Sequence, residues 1–94
     1  MPPHFDQSKF PLGQLYMTPG AYDALTAADM KIALFWHSQG YWGDVSEEDA
    51  RENDFSVPRR LRILSAYHAE NGTRFWVITE ADRSATTILL PDEY

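Results

Sequence analysis

The stretch YHAENGTRFWVITEADRSATTILLPDEY, from Tyr67 to Tyr94, decides the fold. Upstream of it, from Leu61, the pattern has a period of two. Leu61, Ile63, Ser65 and Tyr67 share one face, and Arg62, Leu64, Ala66 and His68 share the other. Asn71-Gly72 then signals a hairpin, because both residues accept positive φ. Arg74 to Thr79 is rich in aromatic and β-branched residues and reads as the second strand. A turn over Glu80–Ser84 leads to a third strand, Thr86–Leu90, which Pro91 ends. The C-terminal part is therefore a three-stranded antiparallel meander.

Helices precede it. Thr18-Pro19-Gly20 has the form of a helix start, with Thr18 as N-cap and Pro19 in the first turn, for a short helix to about Leu25. Thr26-Ala-Ala-Asp29 has capping-box spacing and opens a second helix. Met30, Ala33, Leu34 and His37 repeat at helical spacing, and Ile32, Phe35 and Trp36 fill most of the remaining circumference. That pattern predicts a largely buried helix stopped near Gly40. Ser46 caps a third helix whose first turn holds Glu47, Glu48 and Asp49, placed to complement the positive end of the helix dipole. Val45 is set to staple against Ala50, and Pro58 is expected to end the helix and extend the residue before it. Gly13–Met17 reads as a short added strand. Helices followed by a meander make an α+β fold, with helices covering one sheet face. Residues 1–11, with three prolines, read as a flexible arm, and residues 12–94 as a single domain.

Composition narrows the function. The chain of 94 residues lacks cysteine, which removes disulfides, thiolate metal sites and cysteine nucleophiles and suits the cytoplasm. No apolar run approaches the roughly 20 residues that cross a bilayer, and Met1–Asp6 lacks the pattern of a signal peptide. Net charge is −6. Residues 1–54 carry nine acids against three bases, whereas residues 55–94 carry five of each. Asp44, Glu47, Glu48, Asp49, Glu52 and Asp54 crowd into one segment offset only by Arg51. A field of that sign repels nucleic acid and attracts basic partners.

Motifs for chemistry are sparse. His4, His37 and His68 fall in different elements, and only a meeting in space of His37, His68 and Asp44 could make a metal site. No cofactor motif is present. No serine lies in a G-x-S-x-G context. Glu80, Asp82 and Arg83 make the densest polar turn outside the acidic segment. It is either a binding loop or an Asx turn at Asp82 with Glu80 and Arg83 paired. Arg59, Arg60 and Arg62, near Arg74, Phe75 and Trp76, offer RNA a basic and aromatic surface, or else pair with the acidic helix. Trp42 is either a lid on the core or an exposed anchor beside the acids, and in the second case the pair forms an interaction surface.

These residues carry a resemblance. Thr18-Pro-Gly-Ala21, Trp42-Gly-Asp44 with Glu48-Asp49 and Asn53-Asp54, Trp76-Val-Ile-Thr-Glu-Ala-Asp-Arg-Ser84, and Leu89-Leu-Pro-Asp-Glu-Tyr94 resemble a family of small, uncharacterised bacterial proteins of plasmids and other mobile elements. The likeness spans most of the chain outside the arm and implies a setting rather than a catalytic mechanism. The leading expectation is a non-enzymatic interaction module, an accessory or anti-defence inhibitor of the anti-CRISPR or anti-restriction type. Trp42, Asp44, Glu47, Glu48, Asp49, Glu52 and Asp54 would occlude a basic nucleic-acid-binding surface, so the partner is a basic protein or nucleic-acid-handling complex. One alternative is a small ribonuclease or other hydrolase using His68, Arg74, Glu80 and Arg83. Another is a self-associating structural protein, a homodimer paired through Thr86–Leu90 or Gly13–Met17 as an edge strand.

Overall fold

A computed structural model describes residues 8–94. The order of elements is β1 (Gln14–Met17), α1 (Pro19–Ala24), α2 (Ala27–Ser38), α3 (Glu47–Arg59), β2 (Ile63–His68), β3 (Arg74–Thr79) and β4 (Ala85–Leu89), closed by a 3₁₀ turn at Pro91–Glu93. The fold is α+β. The meander β2–β3–β4 is antiparallel as expected, and β1 joins it in parallel beside β4, giving the order β1-β4-β3-β2. β4 is therefore interior, which removes Thr86–Leu90 as an edge. β1 can start where it does because Gly13 holds φ +68°, and a Cβ there would lie 2.4 Å from the Ser84 carbonyl oxygen.

The caps form as their chemistry requires. Thr18 Oγ1 accepts from the Ala21 amide, Thr26 and Asp29 complete a reciprocal capping box, and Ser46 accepts from the Asp49 amide. Asp29 also accepts from the Glu70 amide. The bond from the Thr26 amide and this second one lower its pKa. Three expectations need correction. Pro58 sits inside α3, and the helix ends only at Arg60, which adopts φ 54°. The last turn holds because the Ser56 and Val57 carbonyls have outside donors, described below. At the β2–β3 hairpin only Gly72 has positive φ. The Gly72 amide closes the turn on the Ala69 carbonyl, while the Asn71 side chain binds the Thr73 amide and the Ala24 carbonyl. Finally, α2 is not largely buried: Ala33, His37 and Ser38 are, but Ile32, Phe35 and Trp36 remain exposed, since the helix meets the sheet on one side only.

The arm expected over residues 1–11 also divides. Residues 1–7 lie outside the described part, but Phe10 is 5% exposed, edge-on to His37 and stacked near Trp42, and the Lys9 amide bonds the Ser38 carbonyl. Between helices and sheet lies a core of Ala21, Leu25, Ala33, Tyr67, Ala69, Phe75, Val77 and Ile88. Burial raises the pKa of the Tyr67 hydroxyl, which donates to the Tyr41 carbonyl. A second cluster joins Phe10, Trp42 and Ile63, with Val45 and Ala50 packed on it.

A polar chain runs through this interior. His37, wholly buried, places Nδ1 2.6 Å from Ser65 Oγ and Nε2 2.8 Å from Thr79 Oγ1. Thr79 Oγ1 lies 2.7 Å from Thr86 Oγ1, which donates to the Leu12 carbonyl at 2.7 Å. A carbonyl only accepts, so the links from Leu12 back to Nε2 have a fixed direction, and with a neutral ring the Ser65 link follows. Thr86 spends its proton on Leu12, Thr79 must donate to Thr86, and Nε2–H must donate to Thr79. Nδ1 is then bare and accepts from Ser65. Burial, with a smaller push from the Arg83 charge, lowers the imidazole pKa to about 3.

The folded protein thus binds this proton more weakly than the unfolded chain, whose histidine has a pKa near 6.5. The contribution is fully present above pH 6.5 and is lost as pH falls toward about 3, at on the order of 1 kcal/mol per pH unit. Urea unfolding at pH 7, 6, 5 and 4 is expected to show midpoints declining over that window. The decline should be much weaker in a folded His37→Gln variant.

Candidate interaction surface

The acidic segment is not a uniform face. Trp42 is 5% exposed, so the exposed-anchor reading is overturned: its ring fills the second core cluster and Nε1–H donates to Asp54 Oδ1 at 3.0 Å. Asp54, itself exposed, is thereby held by the buried indole. Asp44 accepts from Arg74 Nη1 at 2.9 Å and lies 3.9 Å from His68 Nε2. Glu47 pairs with Arg51 one helical turn on at 3.2 Å, both well exposed. Glu48, Asp49 and Glu52 remain, exposed on α3 with no side-chain hydrogen bond or ion pair among the described residues. Asp49 and Glu52 stand beside a cleft of about 240 Å³ that Val45, Asn53, Arg62 and Leu64 complete.

The motifs around the acids have structural work. Trp42-Gly43-Asp44 lies along the outer edge of β2, where the Ala66 amide bonds the Trp42 carbonyl and the Asp44 amide bonds the Ala66 carbonyl. Gly43 permits this approach, since a Cβ would stand 2.0 Å from the Ala66 carbonyl oxygen. Next along the same edge, the Asn53 side-chain amide donates to the Leu64 carbonyl at 2.8 Å and accepts from its amide at 3.3 Å. One side chain thus stands in for a further strand.

The turn after β3 is likewise engaged. Asp82 does form the Asx turn, accepting from the Ser84 amide at 2.9 Å, and its bonds from Ser84 lower its pKa. Glu80 and Arg83 do not pair. Glu80 lies 4.0 Å from Arg62, and Arg83, 6% exposed and at φ 64°, turns inward. Its guanidinium donates to the carbonyls of Leu61, Glu80, Ala81, Ser56 and Val57. It therefore caps the C-terminus of α3 and ties it to the β3–β4 turn. A planar group with five donors suits this task.

The remaining arginines correct another expectation, because none of the cluster pairs with the acidic helix's carboxylates. Arg59 bonds the Phe55 carbonyl and lies 3.7 Å over that ring, Arg60 reaches the Asp82 carbonyl, and Arg62 donates to the Tyr94 hydroxyl. Tyr94 meets Trp76 edge-on with Arg62 over the Tyr94 ring, and Phe75 is buried under the helices, so Phe75 and Trp76 do not form a shared platform beside the arginines. His68 and Arg74 are cross-strand partners at one end of the sheet, Glu80 lies beyond the other end of β3, and Arg83 is enclosed. The four residues of the nuclease reading are not brought together. His37 is held by hydroxyls in the core, so it does not meet His68 and Asp44. Among the described residues no three His, Asp or Glu side chains converge on a metal position.

The sequence pattern missed Asn53, the hydroxyl chain and the Arg62–Tyr94–Trp76 cover. A signal for the chain existed: Ser65, Thr79 and Thr86 are polar residues in inward rows. The fold and surface define a small α+β protein with three neighbouring unpaired carboxylates on one helix, Glu48, Asp49 and Glu52, while Asp23, Glu70 and Asp92 stand singly elsewhere. Comparison with family models, with curated proteins and with solved structures finds no match. No helix among the described residues is long and apolar enough to cross a membrane.

Arg83→Lys keeps the charge but cannot serve all five carbonyls, and is expected to cost about 2–4 kcal/mol. Glu48→Gln should stay within about 0.5 kcal/mol of the parent. Chemical denaturation of both variants checks the contrast.

Proposed function

We propose that this protein is a non-enzymatic interaction module that offers the α3 carboxylates to a basic surface. The observation that carries the reading is the division of the acids. Asp29, Asp44, Asp54 and Asp82 are engaged within the fold and Asp23, Glu70 and Asp92 stand singly on other elements, whereas Glu48, Asp49 and Glu52 stand free together on one helix beside a cleft. An arginine or lysine side chain reaching that cleft would meet the Asp49 and Glu52 carboxylates; Arg62, which also lines it, is already engaged by Tyr94 and Glu80. The partner is a basic protein, or the nucleic-acid-binding channel of a complex that handles nucleic acid, and binding there excludes phosphates by occupation and charge. Direct nucleic-acid binding is opposed by the net charge of −6. The resemblance to mobile-element proteins favours an accessory or anti-defence role, of the anti-CRISPR or anti-restriction kind, in the cytoplasm. The non-enzymatic reading rests on the engagement of each candidate polar cluster in packing or turns.

An arginine-rich peptide serves as a defined probe of the surface. Calorimetric titration should show binding that weakens as salt rises. The doubly reversed Glu48→Lys, Glu52→Lys protein should retain its circular dichroism spectrum and bind roughly tenfold or more weakly. Equal affinity in a folded reversed protein would remove α3 as the interaction face.

A further inference from the structure

The two edges of the sheet are treated differently. At β2 the outward main-chain groups of Leu64 and Ala66 are taken by Asn53 and by the Trp42–Asp44 segment. At β1 the Gln14 amide bonds the Ser84 carbonyl and the Thr18 amide bonds the Ile88 carbonyl, so residues 14, 16 and 18 face β4. The amides and carbonyls of Leu15 and Met17 therefore point away from the sheet, with no partner among the described residues. The side chains there are apolar and open: Leu15 is 54%, Tyr16 57% and Met17 41% exposed. Beside the strand, a groove of about 210 Å³ is walled by Leu15, Met17, Met30, Leu34 and Ile88, with Lys31 its single charge. A bare apolar edge is what isolated proteins guard against with charge, proline or a bulge, and β1 has none of these within it.

We propose that β1 is a homodimer surface, pairing antiparallel with β1 of a second copy about a two-fold axis at Tyr16. Charge selects this occupant. From Phe10 to Tyr22 no residue is charged, whereas the β2 edge lies beside the acidic helix. Two copies of net charge −6 can therefore approach through β1 without setting acid against acid. The register follows from the free groups. Leu15 exchanges both main-chain bonds with Met17 of the second copy, and Met17 does so with Leu15. Tyr16 then stands opposite its own copy in the closer, non-hydrogen-bonded pairing, a position favourable to aromatic pairs. The two sheets become one, both α2 helices lie over the same face, and their apolar grooves meet across the axis. Strand, groove and Tyr16 together supply several hundred Å² per copy, toward the ~800 Å² per partner of a standard interface.

The test uses the full chain. Sedimentation and light scattering over a concentration series should give a mass twice 10.8 kDa. Tyr16→Lys sets like charges face to face and should return a folded monomer. Because the chain has no cysteine, Tyr16→Cys supplies a single thiol on the axis. Mild oxidation should convert it to a disulfide-linked dimer, whereas Glu48→Cys on α3 should stay largely unlinked. A parent that is monomeric at every concentration would overturn the proposal and leave a strand of a different protein as the occupant. So would a dimer that survives Tyr16→Lys and fails to cross-link at residue 16.

Discussion

The interior depends on one directed row of hydrogen bonds, Ser65 to His37 to Thr79 to Thr86 to the Leu12 carbonyl. It joins β2, α2, β3, β4 and the segment that leads into β1. An imidazole and three hydroxyls in an apolar interior are costly unless each is satisfied, and no described buried side-chain polar atom lacks a partner. Removing one member strands its neighbours, so these groups act together to fix where α2 sits on the sheet. The same row leads to Leu12, just before β1, and so helps place that strand beside β4.

The other motifs extend this logic to the periphery. Arg83 fastens the end of α3 to the β3–β4 turn, and Asn53 with Trp42-Gly43-Asp44 covers the β2 edge. Glu93 takes the Thr18 hydroxyl and the Gly20 and Leu90 amides, tying the C-terminus to the start of α1. Those bonds, led by the Thr18 hydroxyl, lower its pKa. Asp82 and Arg83, which look like chemistry in one dimension, are therefore engaged in folding. Two surfaces are left over with different characters, the charged side of α3 and the uncharged edge of β1. On the proposals above, one meets a basic partner and the other a second copy, so that a dimer would present two acidic faces.

Much of the fold was legible because its signals are local. Thr18, Thr26 and Ser46 cap helices by bonding amides three residues on, and period-two alternation needs only near neighbours. The misses share a cause: each depends on a partner remote in sequence. Pro58 does not break α3, because Arg83, some 25 residues away, serves the helix end. The exposure of Ile32, Phe35 and Trp36 follows from how α2 meets the sheet, which its apolar circumference does not reveal. Parallel pairing of β1 required knowing that Gly13 could lie against the 83–84 backbone. At the acidic segment, composition located the charge correctly, but only three-dimensional contacts separate Asp44 and Asp54 from Glu48, Asp49 and Glu52.

The claim beneath all of this is that the core polar groups are structural and closed to chemistry. Nitrogen-15 NMR of the His37 ring tests it most directly. The account predicts a neutral imidazole with the proton on Nε2, slow to exchange and unchanged in state from pH 7 to pH 5. A ring that titrates near the ordinary histidine pKa, or carries its proton on Nδ1, would contradict the directed chain and return the buried histidine to the list of reactive groups.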